Sequence, residues 1–358
     1  MITFDPATLA QSWPRPSAPR PIVIIGAGGI VNDAHLPAYT LAGFPVAGIF
    51  DCDTGKAQVL ADTWDVAFLG TIDEAVAVQD AVFDLATPPA AHLDVLRRLP
   101  QGATVLIQKP MGRDLAEATE ILKLCRAKQF KAAVNFQLRF SPMMLAVADA
   151  VQRGLVGRLI DVEVHLNLLT PWHLFPFLRG MPRVEIAVHS IHYLDLIRSL
   201  LGNPAGVHAR TIGHPGHELA QTRTSALLDF GGVIRATLSI NHEHDFGRRF
   251  QDATFRFEGD QGAAIMKLGL LLNYPEGEQD ELWITTGRGP KAEWLQAPLT
   301  GGWFPHAFVG IMSNLQRFAA GEDHILVTSI EDAWHTMALV EAAFQSAATP
   351  ATPVPDAP

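Results

Sequence analysis

Cysteine is almost missing from this chain: its 358 residues include only Cys52 and Cys125. Two thiols are too few for a disulfide framework and too few for a thiolate metal centre, and their scarcity fits a reducing, cytoplasmic setting. Positive charge is also in deficit, with 27 lysines and arginines against 37 aspartates and glutamates and a net charge of −10. No basic cluster stands out against that background, so the expectation is no nucleic-acid partner, no membrane surface, and a small-molecule ligand instead. Nowhere do some 18 apolar residues follow one another, and the first residues lack a basic head ahead of an apolar run. Neither a membrane span nor an export signal is expected.

What is present is a nucleotide signature. The apolar run Pro21-Ile22-Val23-Ile24-Ile25 leads into Gly26-Ala27-Gly28-Gly29, a helical stretch follows over 31–41, and a second apolar run over 46–50 ends at Asp51. Gly26 permits a sharp exit from a buried strand, Gly28 lets the backbone approach a pyrophosphate, and the helix aims free N–H groups at phosphate charge. Asp51 stands where a carboxylate accepts hydrogen bonds from a ribose, and Cys52 follows where an arginine would welcome a 2′-phosphate. That predicts NAD rather than NADP. Asp53 is read as the cap of the next helix. One position departs from the pattern, since Val31 takes the third small place.

Apolar runs at 22–25, 46–50, 81–86, 103–107 and 131–134 alternate with helical patterns such as 115–127, which predicts a doubly wound parallel sheet. From 159 onward longer alternating strands follow, at 159–166, 222–230, 233–240 and 253–257, with helices at 184–201, 304–320 and 330–346 expected to pack on the sheet they form. The fold class expected is α/β: an N-terminal Rossmann doubly wound parallel sheet, then an α+β domain with a large open, mostly antiparallel sheet. The domains expected are a proline-rich arm at 1–20, a Rossmann domain at 21–140, a substrate-binding and oligomerisation domain at 141–347, and a flexible tail at 348–358. Ile234, Ala236, Leu238 and Ile240 alternate as a buried face does, and an open sheet with helices on one side predicts a homo-oligomer.

Gln108-Lys109-Pro110 falls on the carboxyl edge of the first sheet, where ligands of such sheets bind. In the segment 184–201, helical spacing puts Glu185, His192, Asp195 and Ser199 on one arc, opposite Ile186, Tyr193, Ile197 and Leu201. On a wheel of 100° per residue Glu185 lies about 20° from His192 and His189 about 60°, while seven residues of rise leave Glu185 roughly 10 Å away. His242 and His244 alternate as sheet residues do, and without a third placed ligand no metal is expected.

Gly26 to Ile30 with His35-Leu36-Pro37-Ala38, Thr87-Pro88 with His92, Gln108-Lys109-Pro110, Arg139-Phe140-Ser141-Pro142, and His192 with Asp195 and Leu201-Gly202 fall in one order. On these motifs the chain resembles the Gfo/Idh/MocA oxidoreductases over residues 20 to about 347. The resemblance implies a Rossmann domain and an open-sheet domain with NAD(P) and substrate meeting between them, and a homodimer or homotetramer formed through that sheet. It implies cofactor contacts at Gly26, Gly28, Gly29, Ile30, Asp51, Thr87, Pro88, His92, Lys109 and Gln137, and catalysis by Lys109 and His192. Two departures stand out: the family's motif glutamate is Gln108, and the acid often found four residues before the histidine is Val188. Glu185 or His189 is the expected substitute. The segment 172–183 with 303–306 resembles members acting on free aldoses, with Lys109, Arg139, Trp172, His173, Arg179, His192 and His306 reading the sugar.

Sugar oxidation needs a base on a hydroxyl whose own pKa is far above 7. His192 is read as that base and Lys109 as the donor that steadies the oxygen, with the reverse assignment open. An NAD-dependent sugar dehydrogenase leads. A redox-assisted hydrolase or isomerase and a cofactor-binding regulator without chemistry are the other classes.

Overall fold

The computed structural model describes residues 4–216, 218–274 and 276–355. The first sheet contains β1 (Ile22–Ile25), β2 (Val46–Phe50), β3 (Val82–Leu85), β4 (Thr104–Ile107) and β5 (Lys131–Val134), in the order β2-β1-β3-β4-β5. All of its pairings are parallel. Helices α1 (Leu36–Ala42), α2 (Thr54–Trp64), α3 (Ile72–Ala77), α4 (His92–Arg98) and α5 (Leu115–Ala127) join the strands. The order reverses between β1 and β3, which opens a crevice at their carboxyl ends. Asp53 caps α2 through the Lys56 N–H at 3.2 Å, as its sequence position suggested. Val31, fully buried, opens a π-helical turn (Val31–His35) ahead of α1.

The second half contains α6 (Pro142–Gln152), β6 (Leu159–Asn167), α7 (Ile191–Leu201), β7 (Gly206–Ile212), β8 (Arg223–Asp229), β9 (Arg235–Asn241), β10 (Asp252–Gly259), β11 (Ala263–Lys267), β12 (Glu281–Thr285), β13 (Leu295–Gln296), α8 (His306–Ala320) and α9 (Ile330–Ala348). Its eight strands run β13-β12-β11-β10-β6-β9-β8-β7. Every neighbour is antiparallel except the pair β6–β9. Ala236, Leu238 and Ile240 do face a core, and it is the chain's own: they cluster with Val162, Val164, Phe255, Phe257 and the α7 residues Tyr193 and Ile197. The opposite face carries Asp161, Glu163 and Arg235, with Arg235 bound to Asp161 at 2.6 Å.

One helix packs elsewhere than expected. Phe308, Ile311, Met312 and Leu315 of α8 join Ile22, Ile24, Leu106 and Ala133 in the core on one face of the first sheet. The chain therefore returns to the dinucleotide-binding half after building the second sheet. Sequence periodicity shows which face of α8 is apolar but not which sheet receives it. α9 lies against β7, α5 and α7 and so joins the two halves. Residues 4–20 of the expected arm are fastened across both: Gln11 donates to the Pro298 carbonyl at 2.7 Å and the Trp13 indole to Asp323 at 2.8 Å. Residues 1–3 of that arm and 356–358 of the expected tail lie outside the described residues.

Candidate active site

The dinucleotide turn is held by its own neighbours. Gly26 adopts φ +118°, and a Cβ there would stand 2.4 Å from the Ala86 carbonyl oxygen, so no other residue fits. At Gly28 the reverse holds, because a Cβ would meet nothing within 4 Å. This is open space of the kind a pyrophosphate needs beside a helix start. Asp51, at the end of β2, accepts the Ala27 N–H at 2.7 Å and the Asp53 N–H at 2.8 Å, which fixes its carboxylate against the turn. A cavity of about 410 Å³ opens beside it between Ala27, Asn32, Gly55 and Lys56. These residues fit a dinucleotide.

Further along the same edge, Thr87 follows β3, Lys109 follows β4 and Gln137 follows β5. Thr87 abuts the Gly26 turn. His92, expected at the cofactor, has a fully buried ring 3.0 Å from the Thr87 carbonyl, so it braces the turn. Burial pushes His92 down to about 4, which keeps it neutral. Gln137 is buried with its carbonyl oxygen unpartnered.

Lys109 is the centre of the site. The half-buried residue turns its amine inward, where Nζ donates to the Val188 carbonyl at 2.9 Å. Position 188, where the resemblance leads one to look for an acid, thus meets the lysine through its backbone. Desolvation lowers Lys109 to about 8. His192 is nearly buried, its Nδ1 has no partner, and its ring lies between Phe136 at 6.4 Å and Trp303 at 5.8 Å. Burial first, and then the Lys109 charge, hold His192 well below the usual imidazole range. His189 is lowered as well, by burial and then by His242, Lys109 and His192. Its ring stacks on His242 at 4.6 Å, with the Trp172 edge 5.4 Å away. One amine and three imidazoles therefore converge where the two halves meet.

The α-helical wheel fails just before His192. Ile186–Ser190 is π-helical, with the Ile191 N–H reaching the Ile186 carbonyl five residues back, so angles of 100° per residue do not carry through it. Glu185 is corrected accordingly. It is fully buried behind the site, where its carboxylate accepts Ser190 Oγ at 2.8 Å and Thr224 Oγ1, and stands 3.4 Å from His242 Nε2. It is fully buried against His242. Asp195 and Arg139 are tied up too: Arg139 donates to Asp195 and to Asp332, each at 2.6 Å, and to the Val327 carbonyl. Four of its five N–H donors are thus spent in a buried ion-pair network, which makes Arg139 first of all a part of the fold.

The sugar-reading segment divides. Trp172 forms a wall of the site, its indole donating to Glu243 at 3.0 Å. His173 is exposed, and Arg179 pairs with Glu218 at 3.1 Å on the surface. His306 borders a cavity beneath the N-terminal arm with Trp13 and Thr300, while Trp303 is the residue of that stretch that reaches His192. Two site residues escaped the sequence reading. Asn135, fully buried just after β5, has neither amide atom partnered, and the buried Trp303 indole N–H is unpartnered. Asn135 follows a strand at the same edge as Lys109, and that signal was available. His244 turns to Asn167 at 3.0 Å, while His242 binds Thr170 at 2.7 Å.

A parallel sheet with an open glycine turn, abutting a second sheet across a lysine and histidine cluster, is the architecture of a two-domain dinucleotide-binding protein. Residues 20–136 match the GFO_IDH_MocA family model, described as an oxidoreductase family with an NAD-binding Rossmann fold. That match covers about a third of the chain, and over it the dinucleotide-binding half is similar to this family. Its match to the oxidoreductase YceM of Salmonella typhimurium, 28% identical, takes in 34% of this chain and 40% of that protein. D-apiose dehydrogenase of Rhizobium rhizogenes is 24% identical over 91% of this chain and 94% of its own. An oxidoreductase from Agrobacterium radiobacter, solved in complex with NAD+, L-tartaric acid and magnesium, shares the fold at a TM-score of 0.75 and 22% identity, covering 92% of this chain and 97% of that one.

Proposed function

We propose that the protein is an NAD-dependent dehydrogenase that oxidises a free sugar, an aldose or related polyol, to a lactone or keto sugar. D-apiose, with apionolactone as its product, is the first substrate to try. The observation that carries this reading is the desolvated Lys109 amine, held on the Val188 carbonyl beside two neutral histidines. NAD bound at the glycine turn supplies the acceptor for the hydride. The Asp51 carboxylate retains lone pairs for ribose hydroxyls and repels a 2′-phosphate.

Lys109 and His192 share the proton work. A base is most effective when its pKa lies near the working pH, and Lys109 at about 8 meets that condition whereas His192 lies well below it. The reverse of the first assignment is therefore favoured: Lys109 takes the hydroxyl proton and neutral His192 orients the oxygen. Trp303 and Trp172 supply the aromatic walls on which sugar C–H faces pack. Free pentoses and hexoses are to be screened with NAD and read at the NADH absorbance. Net NADH formation supports the proposal, turnover without net NADH replaces it with a closed redox cycle, and NAD binding without turnover of any sugar replaces it with a regulator.

A further inference from the structure

Outside the cleft a second set of titratable side chains is fully buried in the dinucleotide-binding half. His35 Nδ1 lies 2.6 Å from Asp84 Oδ2, and the Tyr39 hydroxyl donates to that same oxygen at 2.6 Å. All three residues are completely buried, and Phe308 of α8 closes the ring of His35 at 4.9 Å. The other imidazole nitrogen, Nε2, stands 3.3 Å from the side-chain amide nitrogen of Gln108. Gln108 Oε1 in turn accepts the Lys109 N–H at 2.9 Å.

The hydrogen-bond chemistry fixes every direction in this chain. A backbone N–H can only donate, so it takes the amide oxygen of Gln108 and leaves the NH₂ facing His35. An amide NH₂ can only donate, so His35 Nε2 must be a bare acceptor and the imidazole proton must sit on Nδ1, aimed at Asp84. A glutamate at position 108 would face the same nitrogen with a lone pair and demand a second proton. We propose that Asp84, His35 and Gln108 form a buried relay that positions Lys109. Gln108 and His35 are positioning residues in this scheme: neither touches substrate, and each orients the segment from which Lys109 reaches the site. The catalytic part of the inference rests on Lys109 acting in the proposed dehydrogenase, whereas the relay itself does not.

The test reads His35 directly. Long-range proton–nitrogen correlation spectra of the full-length protein, with the His35 signals assigned by their loss in His35→Gln, report which ring nitrogen carries hydrogen. Nδ1–H with a bare Nε2 is expected at pH 7. An Nε2–H tautomer or a doubly protonated ring in the wild type overturns the relay. Gln108→Glu is expected to protonate both nitrogens, and Asp84→Asn combined with Gln108→Glu to leave one proton on Nε2. An unchanged His35 signal in either overturns it. On the sugar found by the screen, each single variant should lower kcat about tenfold or more, with the NAD Kd unchanged, and the double variant should recover most of the loss. A double variant no faster than the singles overturns the positioning role. A wild type that turns over no sugar defeats the dehydrogenase reading and leaves the spectra to decide the relay.

Discussion

Replacing Lys109 by methionine separates a catalytic lysine from a structural one, because the two roles predict opposite changes in stability. Burial lowers Lys109 from 10.5 to about 8. At pH 7 the group is protonated both folded and unfolded, so the penalty for holding that charge in the fold is fully present. It is relieved as pH rises from about 8 to 10.5, the window in which the unfolded chain binds more protons than the folded one. Allowing for partial exposure, the penalty is about 2 kcal/mol. Lys109→Met removes it and leaves the Val188 carbonyl without its partner, a loss of about 1 kcal/mol. The melting temperature should hold or rise by a few degrees while kcat on the correct sugar falls on the order of a hundredfold or more. In the wild type, a base titrating at about 8 is roughly 10% neutral at pH 7 and 90% at pH 9, so kcat should climb about tenfold across that range. Calorimetric melting and NADH-coupled rates check both arms. A melting point that drops by several degrees, with a pH profile flat from 7 to 9, would refute the assignment and make Lys109 a structural strut.

Four further outcomes are expected. Asp51→Ala should narrow the preference for NAD over NADP, as titration calorimetry with both cofactors would show, and a wild type that binds NADP more tightly would overturn the ribose assignment. Arg139→Met should destabilise by about 3–5 kcal/mol, because Asp195 is left buried without its guanidinium; unchanged melting with a raised sugar KM would return Arg139 to the substrate. Glu185→Gln should leave Ser190 and Thr224 bonded but remove the charge beside His242, lowering kcat and shifting the acidic limb of the pH profile, whereas a profile unmoved in both Glu185→Gln and His189→Ala would leave Lys109 alone to handle the proton. We propose that the polar face of the second sheet, which carries Asp161, Glu163 and Arg235, pairs with a second copy, and light scattering that gives the 38.9 kDa monomer at micromolar concentration would exclude it.

The first sheet was legible almost to the residue, because its strands are short, mostly apolar runs bounded by turn residues, and β1, β3 and β4 are buried throughout. Lys109 was legible for the same reason, since it directly follows such a run. Residues whose role depends on tertiary partners were not. Arg139 lies beside Asp195 and Asp332, which are 56 and 193 residues away along the chain, and no spacing rule links them. α8 shows an amphipathic face that would suit either sheet, and only packing with β1 and β4 decides between them. Asn135 was within reach, standing at a strand end two residues before Gln137, but an asparagine after a strand reads as turn chemistry and hides a buried amide.

The π-helical turn links these observations. In an α-helix, Glu185 and His192 would share an arc and the carboxylate would look into the cleft beside the histidine. The wider turn at Ile186–Ser190 breaks that register, so Glu185 is buried against Thr224 of β8 and His242, while the Val188 carbonyl comes to face Lys109. The site thereby lacks an acid at 188 and gains a neutral acceptor in its place. A carboxylate at that point would hold the lysine as an ammonium by direct charge attraction; a carbonyl bonds the amine without opposing its deprotonation to the same degree. Burial can then bring Lys109 down to about 8. Of the two departures from the motifs that the chain resembles, Val188 puts a carbonyl dipole on the Lys109 amine, and Gln108 puts a neutral amide between His35 and the Lys109 backbone. The first favours the neutral amine, the form that can accept a proton from a sugar hydroxyl.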